Sequence, residues 1–411
     1  MKGSFPILSV LLASYTIHAA PVPVRIEHAG GFKRGGLPYF IKGAGGATQL
    51  ELLAGRGANS IRTWSTDGLS KTLDDAEKSH LTVSAGIWLE SECSWFSYQN
   101  AEHCGRQMAR VKTEVMRYRD HPALLAWGLG NEAEGDGSNP AFWQQIGRLA
   151  AVVRELDPAH PSFTALAGVN AAKADGLNRH APQLDFVGVN TYGGIFSLRQ
   201  TLGQVKWTRP WVVTEWGPQG FWERPHGAGG MALEQTSTEK ADMMTRAYGL
   251  VIAPGGSCLG SYAFVWGWKF EASATWFGLL TKNEKTTAGV DALELCWTGK
   301  PANNAAPSIR PLTGVPNMPV AAGTVFTAGT SAIDAEGDAL TWLWVVLPEG
   351  GPHSADTAPP CPPAVPGTIE INNQPRASVK APAQPGRYRV YVEVSDDQGH
   401  AATANAPLVV Q

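Results

Sequence analysis

The chain has 411 residues, and its 33 Lys+Arg against 36 Asp+Glu leave a formal net charge of -3. That near-balance argues against a nucleic-acid binder held by charge, while the length leaves room for two or three domains and at least one large core. Fifteen tryptophans supply flat apolar rings with one donor each, which suit sugar faces as well as cores, although filling a core is the commoner use.

In chain order, "MKGSFPILSVLLASYTIHAA" (1–20) reads as a secretory signal. Lys2 supplies the positive start, Phe5 to Leu12 the apolar stretch, and Ala19-Ala20 a small-residue cleavage site. It is too short to cross a membrane, and no later segment reaches the roughly 20 apolar residues a span needs. The expectation is a secreted or periplasmic protein. In an oxidising compartment Cys93 with Cys104 and Cys258 with Cys296 are plausible bridges, with Cys361 left over.

From residue 21 to 300 short apolar runs alternate with helical patterns. The runs are 39–45, 59–64, 82–90, 123–132, 162–169, 184–192, 211–216 and 260–268, near-continuously apolar as strands buried on both faces are. Between them Phe142, Ile146, Leu149, Val153 and Leu156 recur at helical steps, and Asp157-Pro158 ends that helix. Thr236 to Glu239 is a capping-box pattern opening another. Eight β–α alternations predict an α/β fold, a (β/α)8 TIM barrel. The rival, a doubly wound open sheet, lacks its Gly-rich phosphate loop, since "GAGGA" (43–47) is an incomplete fingerprint.

Composition shifts to Pro, Asn and Ala over 301–318, a linker. Residues 319–411 are strand-like with Gly/Pro turns, and "GRYRVYVEV" (386–394) alternates with period two. This predicts a small all-β immunoglobulin-like sandwich. Through "AIDAEGDALTWLWVV" and "GRYRVYVEVSDDQGH" it resembles the polycystic-kidney-disease (PKD) and cadherin-like modules attached to secreted enzymes. Asp334, Glu336, Asp338, Asp396 and Asp397 read as turn acids before they read as a calcium site, because oxygen ligands would have to converge from separate loops.

A barrel exposes functional side chains at the C-terminal ends of its strands. Here those ends carry Arg62 and Trp64, Trp88 and Glu90, Asn131 and Glu132, Asn190 and Tyr192, Glu215 and Trp216, and Trp266. Two carboxylates across a cleft, Glu132 and Glu215, are the minimal kit for cleaving a glycosidic bond. One must be protonated and the other ionised, so their environments must push their pKa values apart. Arg62 and the Tyr192 hydroxyl would favour the Glu215 carboxylate, making it the nucleophile. Glu132, among apolar neighbours such as Leu129 and Trp127, is then the acid/base. Asn131 is the candidate donor to the sugar 2-hydroxyl, and Trp266, Trp64 and Trp88 are candidate sugar platforms. Glu90, Glu92, Glu134 and Glu271 read as loop charges or subsite contacts. No histidine or cysteine spacing forms a metal constellation.

"WGLGNE" followed 83 positions later by "TEWG" resembles the catalytic signature of clan A retaining glycoside hydrolases, a (β/α)8 superfamily. The likeness covers about residues 38 to 298, through "FIKGAG", "GANSIRTW", "DHPALLAWGLGNE", "DFVGVNTYGG", "VVTEWGP" and "YAFVWGWK". It is similar to the barrels of families 2, 5, 72 and 158. A family 2 enzyme normally carries jelly-roll and immunoglobulin domains before its barrel, whereas this barrel begins near residue 22. The resemblance implies Glu132 as acid/base and Glu215 as nucleophile. It also implies a polysaccharide or oligosaccharide substrate, β-1,3-glucan first, with transglycosylation or β-mannan and β-galactan hydrolysis as alternatives. The expectation is a monomer with no nucleic-acid partner, no metal and no organic cofactor. A non-catalytic carbohydrate-binding barrel is the rival of another class; it predicts loss of one carboxylate, and both are present.

Overall fold

The computed structural model describes residues 20–27, 31–350 and 360–411; all of the expected signal segment except Ala20 lies outside them. A small antiparallel sheet of β1 (Val24–Glu27), β2 (Gly31–Arg34) and β3 (Leu37–Pro38) comes first. Then β4 (Ile41–Gly45), α1 (Leu50–Gly55), β5 (Ser60–Arg62), α2 (Leu69–Lys78), β6 (Thr82–Ile87), α3 (Ala101–Tyr118), β7 (Leu124–Asn131) and α4 (Pro140–Leu156) form the first half of a closed barrel. The second half is β8 (Ser162–Ala167), α5 (Ala171–His180), β9 (Phe186–Asn190), α6 (Leu198–Gln204), β10 (Trp211–Trp216), α7 (Ser237–Ala247), β11 (Cys258–Ala263) and α8 (Ala288–Thr298). The fold is a (β/α)8 barrel with every strand pair parallel.

Local chemistry explains where the longer helices start. The Asn100 side chain accepts from the backbone N–H of Glu102 at 2.9 Å, opening α3. Asn139 accepts from Ala141 N–H at 3.0 Å with Pro140 in the first turn of α4, where a missing N–H costs nothing. Thr236 and Glu239 cap each other at 2.8 and 3.2 Å to open α7. The barrel's N-terminal end is filled by Phe163 and Phe186, stacked at 4.8 Å, and plugged by Phe32 of β2, edge-on to Phe186 at 6.0 Å. Higher up, the buried Tyr262 hydroxyl bonds Ser60 Oγ at 2.9 Å and Ser84 Oγ at 2.6 Å. A Cβ at residue 43 would stand 2.5 Å from the Tyr262 ring, so this layer requires Gly43.

The chain after α8 is all β. It forms the pairs β12 (Ser308–Ile309) with β14 (Ala332–Ile333) and β13 (Val325–Gly329) with β16 (Arg376–Lys380). The third sheet runs β15 (Thr341–Pro348), β17 (Gly386–Ser395), β18 (Ala401–Val410). Alternation in β17 sends Val390, Val392 and Val394 into the sandwich core with Trp344. The middle of the opposite face meets the barrel. Arg389, fully buried, donates to Glu349 at 2.8 and 2.7 Å, to Asn405 at 2.8 Å and to the Ala232 carbonyl at 3.1 Å. Asn405 in turn donates to Glu234 at 2.7 Å, and Glu234 pairs with Lys240 of α7 at 2.6 Å. The amide N–H of Ala274 donates to the Tyr391 hydroxyl at 3.3 Å.

Two expectations change. None of the five cysteines forms a disulfide. Cys104 faces the core from α3, 3.3 Å from the Tyr98 carbonyl, while Cys93 is exposed. Burial pushes the Cys258 thiol up to about 12 and the Cys296 thiol up to about 11, which makes both poor nucleophiles for bridge formation. The acids of the sandwich do converge: Asp334, Asp338 and Asp396 each offer an oxygen within 4.8 Å of the others. Asp334 Oδ1 also accepts from the backbone of Glu336 and Asp338, at 3.1 and 2.8 Å, as a turn acid does.

Removing one partner of a buried ion pair strands the other charge. Arg389→Ala is therefore expected to lower stability by about 3–5 kcal/mol in chemical denaturation. Its exposed neighbour Arg387, changed to Ala, should shift stability by no more than about 0.5 kcal/mol.

Candidate active site

The barrel's C-terminal face holds a cavity of about 940 Å³, near the top of the range of about 300–1,000 Å³ usual for ligand sites. Its lining includes Glu132, Glu215, Asn131, Asn190, Tyr192, Trp64 and Trp88. Side chains from five strand ends thus converge, though they lie up to 151 positions apart in sequence.

Glu215 is held by three donors. Arg62 Nη1 donates to its Oε1 at 2.9 Å, Trp64 Nε1 to the same oxygen at 2.8 Å, and the Tyr192 hydroxyl to its Oε2 at 2.9 Å. All three contacts come from donors, and the one from the guanidinium is charge-assisted. Burial first, and then the charge of Glu215, push the Tyr192 phenol well above its ordinary value, so it remains a donor. Arg62 is 2% exposed and also donates to the Thr214 carbonyl at 2.9 Å and to Asn131 Oδ1 at 2.6 Å.

Glu132 has the opposite surroundings. Desolvation inside the cleft first, and the nearby Glu215 charge second, raise its carboxyl above the usual range, although the residue is open to the cavity. Its one side-chain hydrogen bond comes from Asn190 Nδ2, at 2.8 Å. That same amide nitrogen donates to Asn131 Oδ1 at 3.1 Å, and Asn190 Oδ1 accepts from Thr214 at 2.7 Å. The backbone is unusual here too: Glu132 has φ of 53° directly after Asn131 and Gly130, whose φ is 80°. A non-glycine residue in this left-handed region carries strain on the order of 1–2 kcal/mol, a feature that gathers at functional sites.

Most of the site residues expected from sequence come together, some in other roles. Arg62 and Tyr192 bind Glu215. Asn131 Oδ1 is taken by Arg62 and Asn190, so the group it can offer a sugar is its Nδ2 amide. Trp64 spends its N–H on the carboxylate and stands edge-on to Phe264, at 5.8 Å; Trp88 lines the cavity. Trp266 does not reach it. The eighth strand ends at Ala263, earlier than expected, and the chain leaves the ladder there. Phe264 and Val265 face the mouth, and Trp266 packs into the core with Nε1 donating to the Thr48 carbonyl at 2.8 Å. Trp127 is likewise away from Glu132, bonded to Asp157 at 2.8 Å in the core, so the environment of Glu132 comes from desolvation inside the cleft and Glu215. Glu90 is tied to Arg110 and Gln107, and Glu134 to Lys173.

Sequence reasoning gave no role to Asn190, although it ends the sixth strand, and missed Phe221, Trp222, Glu223, Phe264 and Lys269. Trp222 is 55% exposed yet edge-on to Tyr192 at 5.4 Å. The Glu223 carboxylate accepts from Gly193, Gly194 and Gly220 N–H at 2.7, 3.0 and 2.8 Å, joining the loops that follow β9 and β10. The run "GFWERP" just beyond "TEWG" was the available signal. A second cavity, about 880 Å³, opens at the barrel's N-terminal end. Its Asp157 and His160 bond each other at 2.8 Å, and its Asp185 pairs with Arg154 at 2.9 Å.

The barrel fits the clan A glycoside hydrolases. Residues 68–248 match the family model described as glycosyl hydrolases family 2, TIM barrel domain. Among curated relatives, mannan endo-1,4-beta-mannosidase F of Aspergillus fumigatus is 30% identical over 142 residues, covering 30% of either chain. A probable mannan endo-1,4-beta-mannosidase C of Aspergillus terreus is 25% identical over 222 residues, covering 43% of this chain and 52% of that protein. The chain thus spans about 30% of the first relatives' length and about half of the last. The solved β-D-glucuronidase of Dictyoglomus thermophilum superposes with a TM-score of 0.54 at 17% identity, over 68% of this chain and 54% of that one. The Bacteroides uniformis β-glucuronidase does so at 0.53 and 17%, over 94% and 48%. At that identity they show the fold alone.

Two outcomes follow from this geometry. Glu132→Gly relieves the left-handed strain, so its melting temperature should equal or exceed that of the parent chain. Asn190→Ala removes a bond that favours the ionised Glu132. The alkaline limb of kcat/KM, where a general acid loses its proton, should therefore move to higher pH, with kcat reduced. A limb that stays in place or moves down would contradict the assignment.

Proposed function

We propose that this protein is a retaining β-glycoside hydrolase acting on a polysaccharide, with Glu215 as nucleophile and Glu132 as acid/base. The observation that carries the reading is the opposed setting of the two carboxyls: one withdrawn from water and bound by Arg62, Trp64 and Tyr192, the other open to the cavity with Asn190 as its side-chain donor and its proton favoured. Protonated Glu132 donates to the leaving oxygen while ionised Glu215 attacks the anomeric carbon, forming a glycosyl ester. Esterification removes the negative charge that helped raise Glu132, so its pKa falls and it can take a proton from the incoming water. The Asn131 amide is placed to meet the sugar beside the reacting carbon, and Trp88 and Trp222 to stack on rings.

Among polymers, β-1,4-mannan stands first, supported by the mannanase relatives. β-1,3-glucan, favoured on resemblance, has no specific support from them and stands second. Transglycosylation shares every step and differs in whether water or a sugar hydroxyl resolves the ester. Among the described residues no helix is long and apolar enough to cross a membrane. We place the enzyme outside the cytoplasm on the character of residues 1–20, its sandwich of residues 319–411 following the barrel of 21–300 through the linker of 301–318.

The test is product release from β-mannan, laminarin, barley glucan and β-galactan, with azide rescue of two variants. Glu132→Ala should lose activity by about 10²–10⁴-fold and regain it with azide, yielding a β-glycosyl azide. Glu215→Gly should give the α-glycosyl azide. An inverted product from the parent enzyme would overturn the retaining mechanism, and products longer than the substrate would show transfer.

A further inference from the structure

The hydrolase reading leaves open what kind of sugar the catalytic cavity admits, and its charges bear on that. Lys269 Nζ lies 2.5 Å from Glu271 Oε2, with the two side chains 22% and 12% exposed. Both residues line the cavity with Glu132 and Glu215. Lys269 also rests 4.9 Å from the centroid of Phe264, whose ring stands edge-on to Tyr192 at 5.9 Å. The pair therefore borders the wall behind the nucleophile.

Among the described residues of the lining, the carboxylates are Glu132, Glu215, Glu223 and Glu271, and the one Lys or Arg is Lys269. Arg62 lies below, spent on Glu215, Asn131 and the Thr214 carbonyl. Glu223 is occupied by three backbone donors. Each cation thus already has its anion. A neutral sugar adds hydroxyls, which can accept from Lys269 and donate to Glu271 without disturbing the balance. A sugar carboxylate would add an unmatched negative charge facing Glu215 and Glu271, and could reach Lys269 only by displacing Glu271.

We propose that the Lys269–Glu271 pair makes this site selective for neutral sugars and excludes uronic acids. The proposal rests on the hydrolase reading above. A like charge about 12 Å away, at an effective dielectric near 20, weakens binding by about tenfold. Arg62 offsets Glu215 and Lys269 stays engaged with Glu271, so the one unmatched charge that an acidic sugar brings implies discrimination of about tenfold.

The experiment compares β-mannan and β-glucan with the same polymers carrying C6 carboxylates by oxidation, together with aryl β-hexosides and aryl β-uronides. The enzymes are the parent chain, Glu271→Gln and Lys269→Gln, each checked for an intact melting transition. The parent should prefer a neutral substrate by about tenfold in kcat/KM. Glu271→Gln should narrow that ratio by about tenfold, with turnover of the acidic substrate rising in absolute terms, because Lys269 is released to meet the carboxylate. Lys269→Gln should keep or widen the ratio. A parent enzyme that prefers uronides, or a ratio unmoved in Glu271→Gln, overturns the proposal while leaving the hydrolase reading intact. Silence of the parent enzyme on every neutral and acidic substrate overturns both.

Discussion

The Arg62–Glu215 ion pair is the constraint around which the site is organised. Both groups are almost fully withdrawn from water, and such a pair is costly unless further hydrogen bonds complete it. Here they do: Arg62 takes a carbonyl and an amide oxygen besides the carboxylate, and Glu215 takes an indole N–H and a phenol. The network then reaches the second carboxyl through Asn131 and Asn190. A charge that must stay ionised and a neighbour that must stay protonated are thus linked by a fixed relay of donors.

The barrel makes this possible by geometry. Parallel strands bring residues 62, 131, 190 and 215 to one end, and the register sets Glu215 of β10 beside Asn190 of β9. Below them, Tyr262 with its two serine partners and the Phe163–Phe186 stack fill the interior, so the Arg62 side chain is supported from beneath. The sandwich contributes from outside. Its Arg389, Asn405 and Tyr391 hold the loops around Ala232, Glu234 and Ala274, and the last of these runs on from Lys269 and Glu271 at the cavity wall. The all-β part is accordingly a brace for the barrel in this structure, with the middle of its outward face committed to the barrel.

Much of this was legible in the residues. Eight apolar runs at β–α spacing marked the barrel, because strands covered on both faces need no polar alternation. The strand-end rule then placed Arg62, Asn131, Glu132, Tyr192 and Glu215 at one mouth. Trp266 shows the limit of that rule: it holds only while the chain stays in the ladder, and the eighth strand leaves it after Ala263. Period-two alternation in β17 was also read correctly as a strand, while the partner of its polar face lay far away in sequence.

What the sequence alone determined is the periodicity, and with it the barrel, the paired carboxyls and their order along the chain. These are local patterns, set by which side chains a strand or a helix must bury. Only the tertiary structure decided which donors each carboxyl meets, that Trp64 serves Glu215, that Asn190 spans to Glu132, that Lys269 is matched by Glu271, and that the cysteines stay apart. Those facts depend on distances between loops whose separation in sequence carries no signal, because hydrogen bonds and ion pairs are fixed by ångström-scale packing that the order of residues does not state.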